Sequence, residues 1–89
     1  MTKLSDYCRQ AIATKYLGPT DYRGARVVAV TEGGHRKIIS WDHELNITNN
    51  HAVAASILFE NMGWHKYADL VMGSTKDGYV FVQVPKVAS

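Results

Sequence analysis

Two short segments rich in β-branched residues flank a turn that contains two consecutive glycines. The segment ARVVAVT at residues 25–31 and the segment RKIISW at residues 36–41 are joined by Glu32-Gly33-Gly34-His35. β-Branched residues favour extended strands, and glycine tolerates the left-handed conformations that tight reversals need. The pattern therefore predicts an antiparallel hairpin.

A second hairpin is predicted further along the chain. Residues 67–72 and residues 79–84, with the sequence YVFVQV, flank the segment GSTKDG. The Asp-Gly pair in that segment favours a tight reversal. Pro85 then ends the second strand, because proline has no amide hydrogen to donate.

A helix is predicted between the hairpins, over residues 51–62. The polar residues Thr48, Asn49 and Asn50 precede it, and their side chains could accept a hydrogen bond from a first-turn amide. Gly63 follows, as is typical of the end of a helix. The apolar residues that share one face and would cover the sheet are Ala55, Leu58, Phe59 and Met62.

The segment before the first hairpin fits two patterns. Residues 11–17 alternate as a strand does, and Gly18-Pro19 would end that strand. Helical spacing is also present, in Leu4, Tyr7, Cys8, Ala11 and Ile12. A helix that ends near residue 11, where a strand then begins, satisfies both patterns. Val53 and Ile57 point away from the sheet, so either such an element covers them or they form an exposed apolar spot.

The element order predicts an α+β fold. We expect a mainly antiparallel sheet of about five strands in the order β-β-β-α-β-β, with one main helix on one face and a short N-terminal helix as a further element. The chain has 89 residues and 46% hydrophobic content, which is enough for one compact core and too little for two. Residues 1–89 are therefore predicted to form a single domain.

The sequence favours a cytoplasmic protein that does not enter a membrane. No apolar run approaches the roughly 18 residues of a membrane span, and polar residues interrupt the N-terminal segment where a signal peptide would need an apolar core. Cys8 is the only cysteine, so it cannot form an intramolecular disulfide, which fits a reducing compartment.

The residues that could carry chemistry lack the spacing of a catalytic or metal site. Histidines 35, 43, 51 and 65 are scattered, without Cys-x-x-Cys or His-x-x-x-His spacing. Ser40 and Asp42-His43 are neighbours along the chain, but adjacent residues point in different directions and do not form a triad. We therefore expect no enzyme activity, no cofactor and no metal.

Nucleic-acid binding is suggested by the charge distribution. Residues 1–40 carry seven basic and three acidic side chains, whereas residues 41–89 carry three and five. On the face of the sheet that the helix leaves open, a stacking platform beside these basic residues would use Tyr16, Trp41, Tyr79 and Phe81, unless those rings fill the core or a dimer contact. Residues 17–24 could expose backbone amides to an anion, but we favour a simple connection between strands.

A set of short motifs resembles a family of small uncharacterised proteins common in bacteria, phages and mobile elements. The motifs are TKYLGPTDYRGARV at residues 14–27, WDH at 41–43, an Asn-His pair that opens a helix ending in Gly-Trp, and GYVFV at 78–82. The resemblance implies a single α+β domain and a phage or mobile-element setting, and it implies no activity. The matching positions are Lys15, Thr20, Arg23, Arg26, Asp42, Asn50 and His51. Among these, Asn50 could cap the helix and Asp42 could pair with an arginine.

The leading hypothesis is a small non-enzymatic binding protein of phage or mobile-element origin. It would act on a host protein or protein complex, for example as an anti-CRISPR-like inhibitor of a defence complex. The alternative is a nucleic-acid-binding module, and a homodimer is compatible with either. The predicted binding residues are Lys15, Thr20, Arg23, Arg26, Arg36, Lys37, Trp41, Val53 and Ile57.

Overall fold

The computed structural model describes residues 9–86, which form a five-stranded antiparallel sheet with one long helix. The elements in chain order are β1 (Ile12–Leu17), β2 (Arg26–Thr31), β3 (Arg36–Ser40), α1 (Ile47–Asn61), a 3-10 turn (Trp64–Lys66), β4 (Ala68–Ser74) and β5 (Gly78–Pro85). The order across the sheet is β3-β2-β1-β5-β4. The predicted α+β class and both hairpins are confirmed.

β1 is the central strand and pairs with β2 on one side and β5 on the other. The strand pattern predicted for residues 11–17 is therefore correct. Residues 1–8 of the predicted N-terminal helix lie outside the described residues. At the junction with β5, Gly78 lies opposite Lys15, and a Cβ atom at Gly78 would collide with the carbonyl oxygen of Thr14.

The helix begins one turn earlier than the sequence predicted. Asn46, in an extended conformation, is the N-cap, and its side-chain oxygen accepts a hydrogen bond from the amide of Asn49 at 2.7 Å. This bond satisfies one of the first-turn amides that have no partner within the helix. The end of the helix was predicted correctly, since Gly63 takes a left-handed conformation with φ 75° directly after the C-cap residue Met62.

The core lies between α1 and one face of the sheet. The sheet contributes Ile12, Val27, Ala29, Ala68 and Phe81, and the helix contributes Ala54, Ala55, Leu58 and Phe59. Met62 packs against this cluster and is partly buried, so the predicted apolar face of the helix is confirmed. Removal of these side chains from water is the main force that holds helix and sheet together.

The opposite face of the sheet is also apolar. Side chains alternate between the two faces of a strand, and directly paired residues share a face. The pairing therefore places a second apolar set opposite the helix, consisting of Ala13, Leu17, Val28, Val30, Ile38, Val71, Val80, Val82 and Val84. This surface is termed the open face. Val71 is 53% exposed and Val82 is 45% exposed.

Candidate functional site

Asn50 ties the loop after β3 to the helix. Its side-chain oxygen accepts the amide of Asp42 at 2.8 Å, and its side-chain nitrogen lies 2.9 Å from the carbonyl oxygen of Asp42. The same nitrogen donates to the carbonyl oxygens of Leu45 and Asn46 at 3.2 and 3.1 Å. Asn50 is only 1% exposed. The suggestion that Asn50 caps the helix is therefore wrong, because Asn46 is the cap and Asn50 holds the loop.

Asp42 and Thr20 also organise backbone in the structure. The carboxylate of Asp42 accepts the amide of Glu44 at 2.9 Å. The hydroxyl of Thr20 accepts the amides of Arg23 and Tyr22 at 3.0 and 3.3 Å, and this closes the loop between β1 and β2. Both side chains therefore have a structural role.

His51 is buried between the helix and the sheet in a group of aromatic rings. Its Nδ1 lies 2.7 Å from the hydroxyl oxygen of Thr14. Its ring makes T-shaped contacts with Tyr79 at 4.7 Å and with Trp41 at 6.0 Å between centroids. Burial of the imidazole lowers the pKa of His51 below its ordinary value of 6.5, because the charged form loses its hydration.

The lowered pKa of His51 predicts a loss of stability in mild acid. The unfolded chain takes up a proton below pH 6.5, whereas the folded protein keeps His51 neutral to lower pH. The free energy of unfolding is therefore expected to fall from pH 6.5 downwards, by at most about 1.4 kcal/mol per pH unit. Urea denaturation between pH 5 and pH 7.5 measures this slope.

The control for that experiment keeps an aromatic ring and removes the titration. The variant His51→Phe should have a shallower pH dependence than the wild type. An unchanged slope in His51→Phe would show that another group is responsible.

An apolar groove lies beside this aromatic group, with a volume of about 370 Å³. Its lining residues are Tyr16, Ala25, Trp41, His43, Ile47 and His51. A more polar notch of about 480 Å³ adjoins it and shares Ala25, Trp41 and His43. The notch adds the two arginines of the RGAR motif, Arg23 and Arg26. The apolar groove and the basic notch therefore adjoin at the start of β2.

The aromatic residues do not form the platform that the sequence suggested. Phe81 is only 3% exposed and belongs to the core, and Tyr79 and Trp41 pack against that core. Cross-strand pairing places Tyr16 and Tyr79 on the face that α1 covers. The prediction of a stacking surface on the free side of the sheet is therefore wrong, and aliphatic side chains take that place.

The predicted binding residues separate into three regions. Strand alternation places Lys15, Arg26 and Arg36 on the open face. Arg23 and Trp41 line the basic notch, where Arg26 also contributes. The remaining residues lie apart from the open face: Lys37 is exposed at the edge strand β3, Thr20 lies in its loop, Val53 is 39% exposed on α1, and Ile57 is half-buried there. Val53 is thus an exposed apolar spot in the part of the chain that the structure describes.

Sequence reasoning expected one face of the sheet to stay open but missed that this face is aliphatic. Its signal is present in VVAV and YVFVQV, where apolar residues occupy both alternating positions of a strand. Strands that read this way bury both faces, whereas a strand with one solvated face alternates apolar and polar residues. The missed signal was therefore that β2 and β5 each carry two apolar faces.

Within residues 9–86, no group of three or more histidine, cysteine or acidic side chains comes together as a metal site. In the same residues, no helix combines the length and the apolar character that crossing a membrane requires.

Comparisons with protein-family models, with curated proteins and with solved structures find no match to this chain. The structure itself shows an α+β fold. The resemblance to a family stays a prediction from the sequence motifs.

Proposed function

We propose that this chain is a non-enzymatic binding protein that docks on a partner protein through the open face. The observation that carries the proposal is the apolar surface formed by five adjacent strands opposite the helix. Contiguous exposed apolar surface of this kind is typical of a protein interaction site. Val71, Val82 and Ile38 are its most exposed large side chains.

The charges on the open face define the partner's chemistry. Lys15, Arg26 and Arg36 lie among the apolar residues on the β1-β2-β3 side, and Asp69 lies on β4. A partner surface with an apolar centre and acidic residues on one side would complement this arrangement. Complementary charges of this kind set the orientation and speed of association more than the affinity.

The biological setting follows from the motifs. The resemblance to proteins of phages and mobile elements supports a host protein as the partner, with inhibition of a defence complex as the action. Such inhibition requires occupancy of a surface and no chemical step. The most buried polar pair, His51 with Thr14, is enclosed by aromatic rings, which fits a structural role.

Charge substitutions on the open face test this proposal. Val71 and Val82 are directly paired across β4 and β5 and are both exposed. We expect Val71→Glu and Val82→Glu to fold as the wild type does and to lose the partner that the wild-type protein captures from host lysate. Each buried valine contributes about 1.5 kcal/mol or more to an interface, so each single substitution should weaken binding at least about tenfold.

The matched control is Ser56→Glu, which places the same charge on the exposed side of α1. This variant should keep the partner. Equal capture by all variants, or a wild type that is a dimer dissociated by the open-face substitutions, would overturn the proposal of a host partner. Measurement of the molecular mass of the purified protein in solution distinguishes a homodimer from a monomer.

Nucleic-acid binding is the second candidate, favoured by the three basic side chains on one face, Lys15, Arg26 and Arg36. An electrostatic interaction with phosphates weakens steeply as the salt concentration rises. Fluorescence anisotropy with labelled single-stranded DNA at 20 to 200 mM salt tests it. The protein partner is preferred because the described strands present no aromatic ring on that face for a base to stack on.

A further inference from the structure

The apolar groove beside His51 is a corner between aromatic rings. The rings of Tyr16 and Trp41 meet edge to face, with centroids 5.0 Å apart and an interplanar angle of 82°. The ring of His51 is also nearly perpendicular to Trp41, at 85°. Ile47, at the start of α1, adds an aliphatic wall and is 60% exposed. Such a corner encloses a bulky apolar side chain better than it stacks a flat base, which needs a parallel ring.

The adjoining notch offers positive charge, and one of its arginines has a hydrogen-bond donor without a partner in the described residues. Arg23 and Arg26 both line it. The Nε atom of Arg26 is buried and has no hydrogen-bond acceptor within the described part of the chain. A buried donor without a partner destabilises a protein by about 1–3 kcal/mol. A carboxylate is the acceptor that matches a guanidinium best, because it can accept two parallel hydrogen bonds.

We propose that the groove and the notch together bind an apolar side chain that is followed by a carboxylate. The apolar side chain occupies the corner of Tyr16, Trp41 and Ile47, and the carboxylate lies against Arg23 and Arg26. The carboxylate belongs either to the C-terminus of a peptide or to an acidic residue next to the apolar one. This inference rests on the proposed function in taking a protein segment as the ligand. The groove and the notch lie largely outside the open face.

A small probe tests the site without the partner. N-acetyl-L-phenylalanine carries an aromatic side chain and a free carboxylate, and it is titrated into ¹⁵N-labelled protein while the indole N–H of Trp41 is followed by NMR. A ligand of this size is expected to bind with a Kd of about 1 mM. The amide analogue, N-acetyl-L-phenylalaninamide, should bind at least about tenfold more weakly, because a charge-assisted hydrogen bond is lost.

The source of the carboxylate is decided by a third probe, N-acetyl-Phe-Glu-amide, which has an acidic side chain and no free terminus. Binding as tight as that of the free acid assigns the site to an internal apolar-acidic pair, and binding as weak as that of the amide analogue assigns it to a chain terminus. Three results would overturn the proposal: equal binding of the free acid and its amide, the absence of any saturable shift, or tighter binding of AMP, which carries a flat base and a phosphate in place of the side chain and the carboxylate.

Two substitutions on α1 provide matched variants. Ile47→Glu removes the aliphatic wall and places a negative charge in the first helical turn, where it is favourable to the helix. It should reduce the affinity for N-acetyl-L-phenylalanine at least about tenfold. Ser56→Glu, further along α1 on its exposed side and outside the groove lining, should bind the probe as the wild type does. If Ile47→Glu binds the probe normally, the groove is not the site.

The probe also separates this inference from the proposed function. Val71 and Val82 lie on β4 and β5, away from the groove residues, and each is replaced by glutamate in a single variant. These variants should bind the probe with unchanged affinity even though they lose the partner. Loss of the partner with normal probe binding supports both proposals. Failure of the probe in the wild type refutes the groove alone, and capture that is insensitive to Val71→Glu and Val82→Glu refutes the open face alone.

Discussion

Replacing Gly78 by alanine is expected to destabilise the fold by about 3 kcal/mol, or to prevent folding altogether. Gly78 opens β5 and faces Lys15 of the central strand. An added Cβ would collide with the carbonyl oxygen of Thr14 and approach its carbonyl carbon to 3.1 Å. Both atoms belong to backbone, so the strand itself would have to move, and the pairing of β1 with β5 would be disturbed. Chemical denaturation followed by circular dichroism measures the loss.

The control is Gly24→Ala, in the loop before β2. A Cβ at Gly24 meets no atom within 4 Å, and its backbone is not in the left-handed region. This substitution should change the free energy of unfolding by less than about 1 kcal/mol. A small increase in stability is expected, because alanine restricts the unfolded chain more than glycine does. Similar stabilities for Gly78→Ala and Gly24→Ala would mean that β1 and β5 are not packed this closely.

The variant Asn50→Ala should destabilise the protein by about 3 kcal/mol, because it removes several hydrogen bonds between a buried side chain and partly buried backbone groups. The amide of Asp42 loses its acceptor, and the carbonyl oxygens of Asp42 and Leu45 lose a donor. The loop that positions Trp41 and His43 at the groove would then lose its attachment to α1. Thermal and urea denaturation measure the effect.

The neighbouring Asn49→Ala is the matched control. Asn49 is exposed on the same helix, and only its backbone amide takes part in the cap. Alanine has the higher helix propensity, so this variant should be as stable as the wild type or slightly more stable. Asn50→Asp keeps an acceptor for the amide of Asp42 but loses the donor, and it should be at least as unstable as Asn50→Ala. A stable Asn50→Asp protein would contradict the hydrogen-bond pattern described above.

Local patterns predicted the hairpins and the core face of the helix, because those depend on alternation and on turn residues close in sequence. The start of α1 could not be located in the same way. Asn46, Asn49 and Asn50 all have a side chain suited to capping, and only the path of the loop decides which one does so. The sequence could therefore predict a capped helix without predicting which asparagine is the cap.

The candidate site was only partly predictable, for a related reason. Arg23 and Arg26 are close in sequence, and their motif led to them directly. Their position beside Trp41 and Ile47 depends on how the loop after β3 folds back onto β2. The aromatic residues were placed on the wrong side of the sheet because strand alternation gives two faces without stating which one the helix covers.

The position of β1 between β2 and β5 also bears on synthesis of the protein. The partner of Ile12 on one side is Thr31, which is made soon afterwards, and its partner on the other side is Phe81, which is made near the end of the described chain. While the polypeptide is still being translated, β1 can pair with β2 but must present its other edge bare until β5 leaves the ribosome. A truncated or stalled product that lacks β5 would keep that edge exposed and would be prone to aggregation.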